Sequence, residues 1–433
     1  MAAKPEAEPQ QIGLLQRAFG IEDHDLGLVL YHIDTYLALD DADALLAAMA
    51  AAVSVADTDG EPLWLLLVGP SSGSKTETIR TQANLADKQL SDITLAGLFS
   101  ARPGRPPTGV LADLGNECNA YVTVSDLSSL LNRGGSGGGI SGQQQSGVFE
   151  ALRDIYDGAY TRTMDRVSPS WRGRVTLLAA VTPAIDHMRA HADALGPRWV
   201  YFRLRQLDQE QRKLVQYTVT SRTHVNENRA EVADLVAKVV EEARTRVTDT
   251  AVGDETIDLV QRCADLATYG RATVPRDFRG EIDGAPHWEE PGRLTHQLLK
   301  LARSLTALNV GDAAVHRIVR RAAVSCMPTT RALAAETLAA LDDAEWLTTN
   351  ALANRTGQNR KVMRKALEDW EAVGICEMQL KHAATTPVGI EDDEDHARHD
   401  TRAREWRLSP DFTELVRGVL VVESQSVSES GQF

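Results

Sequence analysis

A chain of 433 residues, 43% of them hydrophobic and 25% charged, has the make-up of a globular protein of roughly two to four domains. No apolar run approaches the ~18 residues of a membrane span, the longest being Leu63–Val68, and the polar start MAAKPEAEPQQ lacks the basic-then-apolar order of a secretory leader, so a cytoplasmic protein is expected. A net charge of −15 argues against a uniformly nucleic-acid-binding surface, but it leaves room for a local basic face: acid is concentrated at Asp40–Asp43 and Glu391–Asp395, arginine at Arg162–Arg174 and Arg355–Lys365.

Residues 12–52 carry helical apolar spacing and end in the alanine-rich run Ala42–Val53, giving a helical lead over residues 1–56. Turn chemistry at Asp57–Pro62 then introduces the continuous apolar run Leu63–Val68. Such a run, bounded by Gly and Pro, suits a strand buried on both faces of a parallel sheet. Ser91–Phe99, Tyr121–Val124 and Val175–Val181 are further strand candidates separated by helical stretches. The alternation predicts an α/β core over residues 57–206, its parallel sheet covered by helices on both faces. Residues 207–328 read as a helical unit: Gln209–Arg244, Glu255–Ala267, Arg293–Leu308 and Asp312–Val324, with the polar tract Arg276–Pro291 between the two pairs. A third unit spans 329–420, and the serine-rich end, 421–433, has a disordered composition. Four scattered cysteines and unspaced histidines form no metal-ligand pattern; buried free thiols are expected.

The segment Gly69, Pro70, Ser71, Ser72, Gly73, Ser74, Lys75, Thr76 follows the buried strand and opens a helix, which is the context a phosphate-binding P-loop requires. Small residues let main-chain N–H groups wrap a β-phosphate. Lys75 supplies a cation for the β- and γ-oxygens, and Thr76 a hydroxyl for Mg²⁺. ATP and Mg²⁺ are the expected cofactors. Ser74 stands where glycine is usual; if that position needs positive φ, serine costs ~1 kcal/mol. A second strand must bring an acid to the metal, and Asp126, just after Tyr121–Val124, fits. Leu127 occupies the place where a water-polarising glutamate usually follows, so either Asp126 does both jobs or the base comes from elsewhere, with Glu150, Asp154 and Asp157 as candidates. An N-cap role for Ser125 or Asp126 is the alternative and is compatible with metal binding. Thr182, ending the strand Val175–Val181, is positioned to orient water if that strand lies between the nucleotide and the metal acid; the start of a turn is the alternative.

The series VTVSDLSSLL (Val122–Leu131), ALRDIYDGAYTR, VTPAID, ALGPRWVYFRL and EEPGRLTHQLLKLARSL resembles AAA+ ATPases of phages and integrated mobile elements, over roughly Leu63 to Leu341. The resemblance implies an AAA+ P-loop core, a helical lid and a ring-forming homo-oligomer, for which a hexamer is expected. It also implies that Arg198 reaches a neighbouring subunit's γ-phosphate and that Arg293 is a lid sensor arginine, each weighed against a plain surface ion pair. Ala159–Arg174 reads as a hairpin. Related ATPases carry a similar hairpin projecting into the ring channel, which would let Arg162, Arg172 and Arg174 grip phosphates while Tyr160 and Trp171 stack on bases. Glycine-rich Asn132–Gly147 reads as a mobile loop.

In the third unit, a short helix at Leu347–Ala353, a turn at Arg355–Gly357, a second helix at Asn359–Val373 and strands Ile375–Leu380 and Glu405–Leu408 resemble a winged helix. The second helix is expected to turn Val362, Ala366, Leu367 and Trp370 inward. Arg360, Lys361, Arg364 and Lys365 then face outward toward DNA, although the EDDED insertion would repel phosphates. The combined expectation is an ATPase that moves or remodels DNA or loads a helicase onto it with a replication partner. The alternatives are an ATP switch that recruits a protein, motivated by the missing glutamate, and a winged-helix transcriptional regulator.

Overall fold

The computed structural model describes residues 9–37, 41–70, 74–128, 140–164, 167–187, 198–205, 225–381 and 403–421. The chain divides into two compact units: residues through Ala264 with Pro291–Cys326, and Asp265–Glu290 with the chain from Met327 onward. Among the described residues no helix is long and apolar enough to cross a membrane.

The first unit opens with helices α1 (Pro9–Phe19), α2 (His24–His32) and α3 (Ala42–Val53). Asp23 and Asp41 begin α2 and α3 by accepting from Leu26 N and Ala44 N, which satisfies otherwise orphaned first-turn donors. The core follows as β1 (Trp64–Val68), α4 (Lys75–Arg80), β2 (Lys88–Leu90), β3 (Cys118–Val124), α5 (Ile140–Tyr156), β4 (Ala159–Thr161), β5 (Ser170–Val181) and β6 (Val200–Arg203). Helices α6 (Val225–Arg244), α7 (Asp254–Arg271), α8 (Gly292–Ala307) and α9 (Asp312–Ser325) complete the order. Residues from Asp265 to the end of α7 belong to the second unit.

The fold is α/β. Strands β2-β3-β5-β1-β6 lie in that order and run parallel, while β4 adds antiparallel to β5. Thus β5 lies between β1 and β3, with Val68 opposite Val181 and Val124 opposite Ala179. Every residue of β1 is buried, and the pleat divides them between two faces. Trp64, Leu66 and Val68 join Leu177, Ala179 and Val181 in a core with Phe149, Leu152 and Ile155 of α5. Leu65, Leu67, Leu178 and Ala180 are fully buried on the opposite face, where α3 packs on β1 and β5. Each fully buried leucine contributes about 1.5–3 kcal/mol relative to exposure. The alanines of α3 are what let that helix lie close: Ala47, Ala48, Ala50, Ala51 and Ala52 have no exposed surface.

Three core elements differ from expectation. Ser91–Phe99 is not a strand: β2 is Lys88–Leu90, and Thr94 caps a short helical turn, Leu95–Leu98, by accepting from Gly97 N at 3.1 Å. A local side-chain cap outcompetes the ladder there. The hairpin forms, with Tyr160 opposite Trp171, and lengthens β5 back to Ser170. Edge strand β6 was not anticipated. Within Asn132–Gly147, residues from Ile140 onward are the first part of α5 rather than loop, while 132–139 lie outside the described residues. So do 209–224 of the expected helix Gln209–Arg244, the segment Glu391–Asp395 and the end from 422 onward.

The second unit holds α10 (Thr329–Ala339), β7 (Leu347–Thr348), α11 (Thr349–Thr356), α12 (Arg360–Ala372), β8 (Cys376–Leu380), β9 (Arg404–Leu408) and α13 (Pro410–Leu420). Its strands form a small antiparallel sheet in the order β7-β9-β8. Gly357, at φ 65°, ends α11 in the left-handed region, and Asn359 restarts the chain as the cap of α12, accepting from Lys361 N. The inward stripe of α12 is Met363, Ala366, Leu367 and Trp370. Val362 is 48% exposed and Met363 fully buried, so the expectation for Val362 is corrected by one position. The spacing i, i+3, i+4, i+7 from Met363 fixes that phase. Asp369 on α12 is buried between Arg331 (2.8 Å) and Arg276 (2.7 Å), and Arg331 also donates to Gly270 O and Ala272 O. These bonds tie the polar tract after α7 into the second unit.

Candidate functional site

The carboxyl edge of the parallel sheet gathers the residues expected to bind phosphate. At the exit of β1, Gly69 N donates to Val181 O (3.1 Å) and Leu204 N donates to Val68 O (2.8 Å), so the chain leaves pinned between β5 and β6. A Cβ on Gly69 would lie 3.0 Å from Leu204 Cδ1 and 3.2 Å from its Cβ, so the close approach of β6 favours glycine. Lys75 opens α4 and turns back, its ammonium donating to Gly69 O at 2.6 Å and Pro70 O at 2.5 Å. Lys75 is thereby joined to the residues that leave β1. Ser71, Ser72 and Gly73 lie outside the described residues. Ser74 has φ −65° and ψ −4°, ordinary helical values, so the strain expected of serine at positive φ does not arise. Thr76 is half-buried on the first turn of α4.

Burial holds the Lys75 ammonium below the usual lysine range, and the Asp126 carboxylate opposes that shift. Lys75 and Asp126 are therefore within electrostatic reach although they leave strands separated by β5. Asp126 is exposed at the exit of β3, where its Oδ1 accepts from Ser128 N (2.7 Å) while Leu127 N is held by Ala180 O (2.7 Å). The Ser128 hydroxyl accepts from Thr182 N (3.0 Å) and lies 3.3 Å from Thr182 Oγ1. Asp126, Ser128 and Thr182 thus form one linked group across the exits of β3 and β5. Leu127 is buried, and Glu150 is exposed on α5.

Three features here were not read from sequence. Ser128 was passed over, although it follows Asp126 by two residues, as an acceptor-turn partner should. Arg229 on α6 clamps Glu77 of α4 through two bonds, at 2.5 and 2.9 Å. Burial pushes Glu77 up, but Arg229 and Arg80 outweigh it and leave the carboxyl below its usual range. Beyond β6, Asp41 and Asp43 are buried among arginines: Arg321 bonds Asp41, Arg317 bonds Asp43 (2.8 Å), and Arg205, 59% exposed, bonds Asp43 (3.2 Å). Part of the acid counted at Asp40–Asp43 is neutralised inside the fold.

The two arginines carried over from the resemblance lie at the other edge. Arg198 precedes β6 and pairs with Asp157 at 2.8 Å; Arg293 begins α8 with its Nε 3.7 Å from Glu61. Neither is brought to Lys75. The hairpin residues also need correction. Tyr160 and Trp171 are buried, and Trp171 Nε1 donates to Gly115 O (2.7 Å), so neither ring is presented for stacking. Arg162 spends its guanidinium on Leu95 O and Phe99 O. Arg174 does so on Gly60 O (2.5 Å) and Asp57 O (3.4 Å), and burial holds it below the usual arginine range. Main-chain carbonyls of neighbouring segments hold both side chains. Of the three hairpin arginines, Arg172 is exposed.

On α12, Arg360, Lys361, Arg364 and Lys365 are all exposed, with Arg364 3.4 Å from Glu368. No protein-family model matches the chain, and no curated protein matches it.

Proposed function

We propose that the chain is a P-loop ATPase of the AAA+ type, acting as an oligomer on DNA, with Mg-ATP bound at residues 69–76. The observation that carries this reading is Lys75. Its ammonium is buried at the exit of the central buried strand, folded against the carbonyls of Gly69 and Pro70 and opposite the Asp126 charge. A triphosphate would reward that cation more than main-chain carbonyls do, because charge-assisted contacts with phosphate are the stronger ones.

The donor set suits Mg²⁺, which takes hard oxygen ligands, keeps several waters and needs few protein groups beside phosphate. Thr76 and Asp126 would hold it, and it would neutralise charge on the β- and γ-oxygens. Thr182, at the exit of the strand between loop and acid and hydrogen-bonded to Ser128 beyond β3, would orient the attacking water with it. In hydrolysis the water oxygen bonds to the γ-phosphorus, the bridging bond breaks with its electron pair remaining on ADP, and the water's proton passes to the released phosphate. Arg198, on the far edge, would serve a neighbouring subunit, since its planar charge suits a phosphoryl group in transfer.

The DNA reading is supported by α12, with Arg360, Lys361, Arg364 and Lys365 exposed after the Gly357 turn and beside the β8–β9 pair. This arrangement is what a winged helix would present to phosphates. Helicase loading with a replication partner falls within it. A second reading, an ATP switch with little hydrolysis, is favoured by buried Leu127, which leaves no carboxylate beside Asp126.

Lys75→Ala separates these from a site of another kind. The substitution should abolish ATP binding measured by calorimetry and, with it, turnover measured with and without single-stranded DNA. Unchanged affinity and rate would refute the site. A wild type that binds ATP without turnover would select the switch.

A further inference from the structure

In the second unit, the polar tract after α7 folds into a tight turn that holds a phenylalanine in solvent. Bridges Thr273–His287 and Arg276–Ile282 run antiparallel, and the chain reverses over Asp277–Gly280, with Gly280 N donating to Asp277 O (3.0 Å). Gly280 takes φ 85°, the left-handed value that closes a three-residue hairpin loop. Asp277 Oδ1 accepts from Arg279 N and Glu281 N, both at 2.9 Å. Arg276 fastens the turn to α12, donating to Gly280 O (2.7 Å) and to Asp369 (2.7 Å). Phe278 is 92% exposed on this support, and the Arg279 guanidinium lies 5.2 Å from its ring centroid. The ring stands clear of its own fold, on a turn with little conformational freedom left to lose on docking.

A cavity of about 250 Å³ opens in the same unit at the far end of α10. Leu338, Leu341, Leu408 and Pro410 supply its apolar lining, and Asp342 and Asp343 add exposed acid. Arg417 holds Asp343 at 2.6 Å, whereas Asp342 forms no ion pair among the described residues. A cavity of about 150 Å³ already takes a benzene ring, so the side chain of Phe278 fits by volume. Turn and cavity do not meet within one chain. Arg331, near the start of α10, bonds Gly270 O, Ala272 O and Asp369, which sets the turn's base at that end. Leu338 lies about 10 Å further along the helix. Glu281 and Asp283 flank the turn, and their charge disfavours a phosphate backbone as its partner.

We propose that Phe278 and Arg279 of one copy enter the cavity beside Leu338 and Pro410 of the next copy, the ring against the leucines and the guanidinium on Asp342. The assignment rests on the chain being a homo-oligomer, as proposed above, and names the surfaces that join its copies. Knob and hole are different patches, so the contact is heterologous and repeats head to tail, the kind that can close a ring. Docking takes an exposed aromatic ring out of water, and it gives Arg279 a carboxylate partner while the cation keeps its place over the ring.

Sedimentation velocity on the full-length chain with Mg-ATP, over a concentration series, tests this. Phe278→Ala should raise the dissociation constant for self-association at least about tenfold. Arg279→Glu and Asp342→Arg should each weaken association by a similar factor. Mixed in equal amounts, these two variants should associate as wild type does, since each variant's turn then meets a cavity of opposite charge. A role internal to one copy predicts no such recovery. Association unchanged by Phe278→Ala, or charge variants that associate no better mixed than apart, overturns the contact and leaves the oligomer reading in place. If Phe278→Ala instead loses single-stranded DNA binding in fluorescence anisotropy, with association unchanged, the turn is a base-stacking element and the proposal falls. A wild type that stays monomeric throughout the series overturns the oligomer reading and this contact together.

Discussion

Among single residues, Lys300 on α8 has the clearest physical signature outside the candidate site. It is buried, donates to Asp57 O (2.8 Å) and Asp59 O (2.6 Å), and lies 3.5 Å from the Asp57 carboxylate. Burial brings its ammonium from 10.5 down to about 8, with Asp57 opposing and Arg174 assisting. Between pH 8 and 10.5 the unfolded chain therefore holds a proton that the folded chain has released, and stability rises with pH across that window. Below pH 8 the burial cost is fully present. The urea midpoint of the wild type should gain on that of Lys300→Met between pH 8 and 10; parallel pH profiles would refute the assignment. Nothing in the sequence around Lys300 marks it, because its partners are 243 and 241 residues away. The same distance effect hid Arg229, whose partner Glu77 is 152 residues away. The places of Lys75 and Asp126 after β1 and β3 were legible for the opposite reason. Each belongs to a local strand-exit pattern whose chemistry is set by a few adjacent residues. Tyr160 and Trp171 were misread although they alternate with exposed Ala159, Thr161, Ser170 and Arg172, and Arg162 and Arg174 because the carbonyls they bond lie 63 to 117 residues away.

At the scale of elements, α12 shows how a polar helix can be fixed by one buried charge. Asp369 accepts from Arg331 and Arg276, all three shielded from water, and Arg276 reaches on to Glu368 (3.1 Å). Asp369→Asn would leave two arginines facing a neutral amide. Breaking a buried pair from one side costs about 3–5 kcal/mol. Hydrogen exchange across α12 should lose protection by that order, whereas Glu345→Gln, which removes an exposed pair with Arg355 at 3.9 Å, should change it by under about 1 kcal/mol. Equal effects of the two substitutions would contradict the network. Elements with strong periodicity were readable before any coordinates: β1 from its unbroken apolar run, α12 from its stripe, α11 and α12 from the Gly357 break. Thr94 turned an apparent strand into a capped helical turn, and β6 escaped notice because its four residues alternate buried with half-buried at the sheet edge. The phase of α12 slipped by one position because Val362 and Met363 are both apolar.

For the whole molecule, a net charge of −15 is a poor guide to what its surfaces attract. Asp41 and Asp43 are internally neutralised, and four exposed basic residues line α12. The two sheet edges carry different side chains, Lys75 and Asp126 beyond the carboxyl ends of strands and Arg198 before β6. If the carboxyl edge holds nucleotide and the amino edge supplies Arg198 to a neighbour, no single copy contains a complete site, and activity must depend on assembly. Turnover per subunit should then rise with protein concentration through the range in which light scattering records association. Arg198→Ala should bind ATP with near wild-type affinity yet show no such rise, with a loss on the order of 10³-fold at full assembly. A wild-type rate per subunit that stays constant from the dissociated to the associated state would mean that each copy carries its own complete catalytic set. Arg198 would then be half of a structural ion pair only.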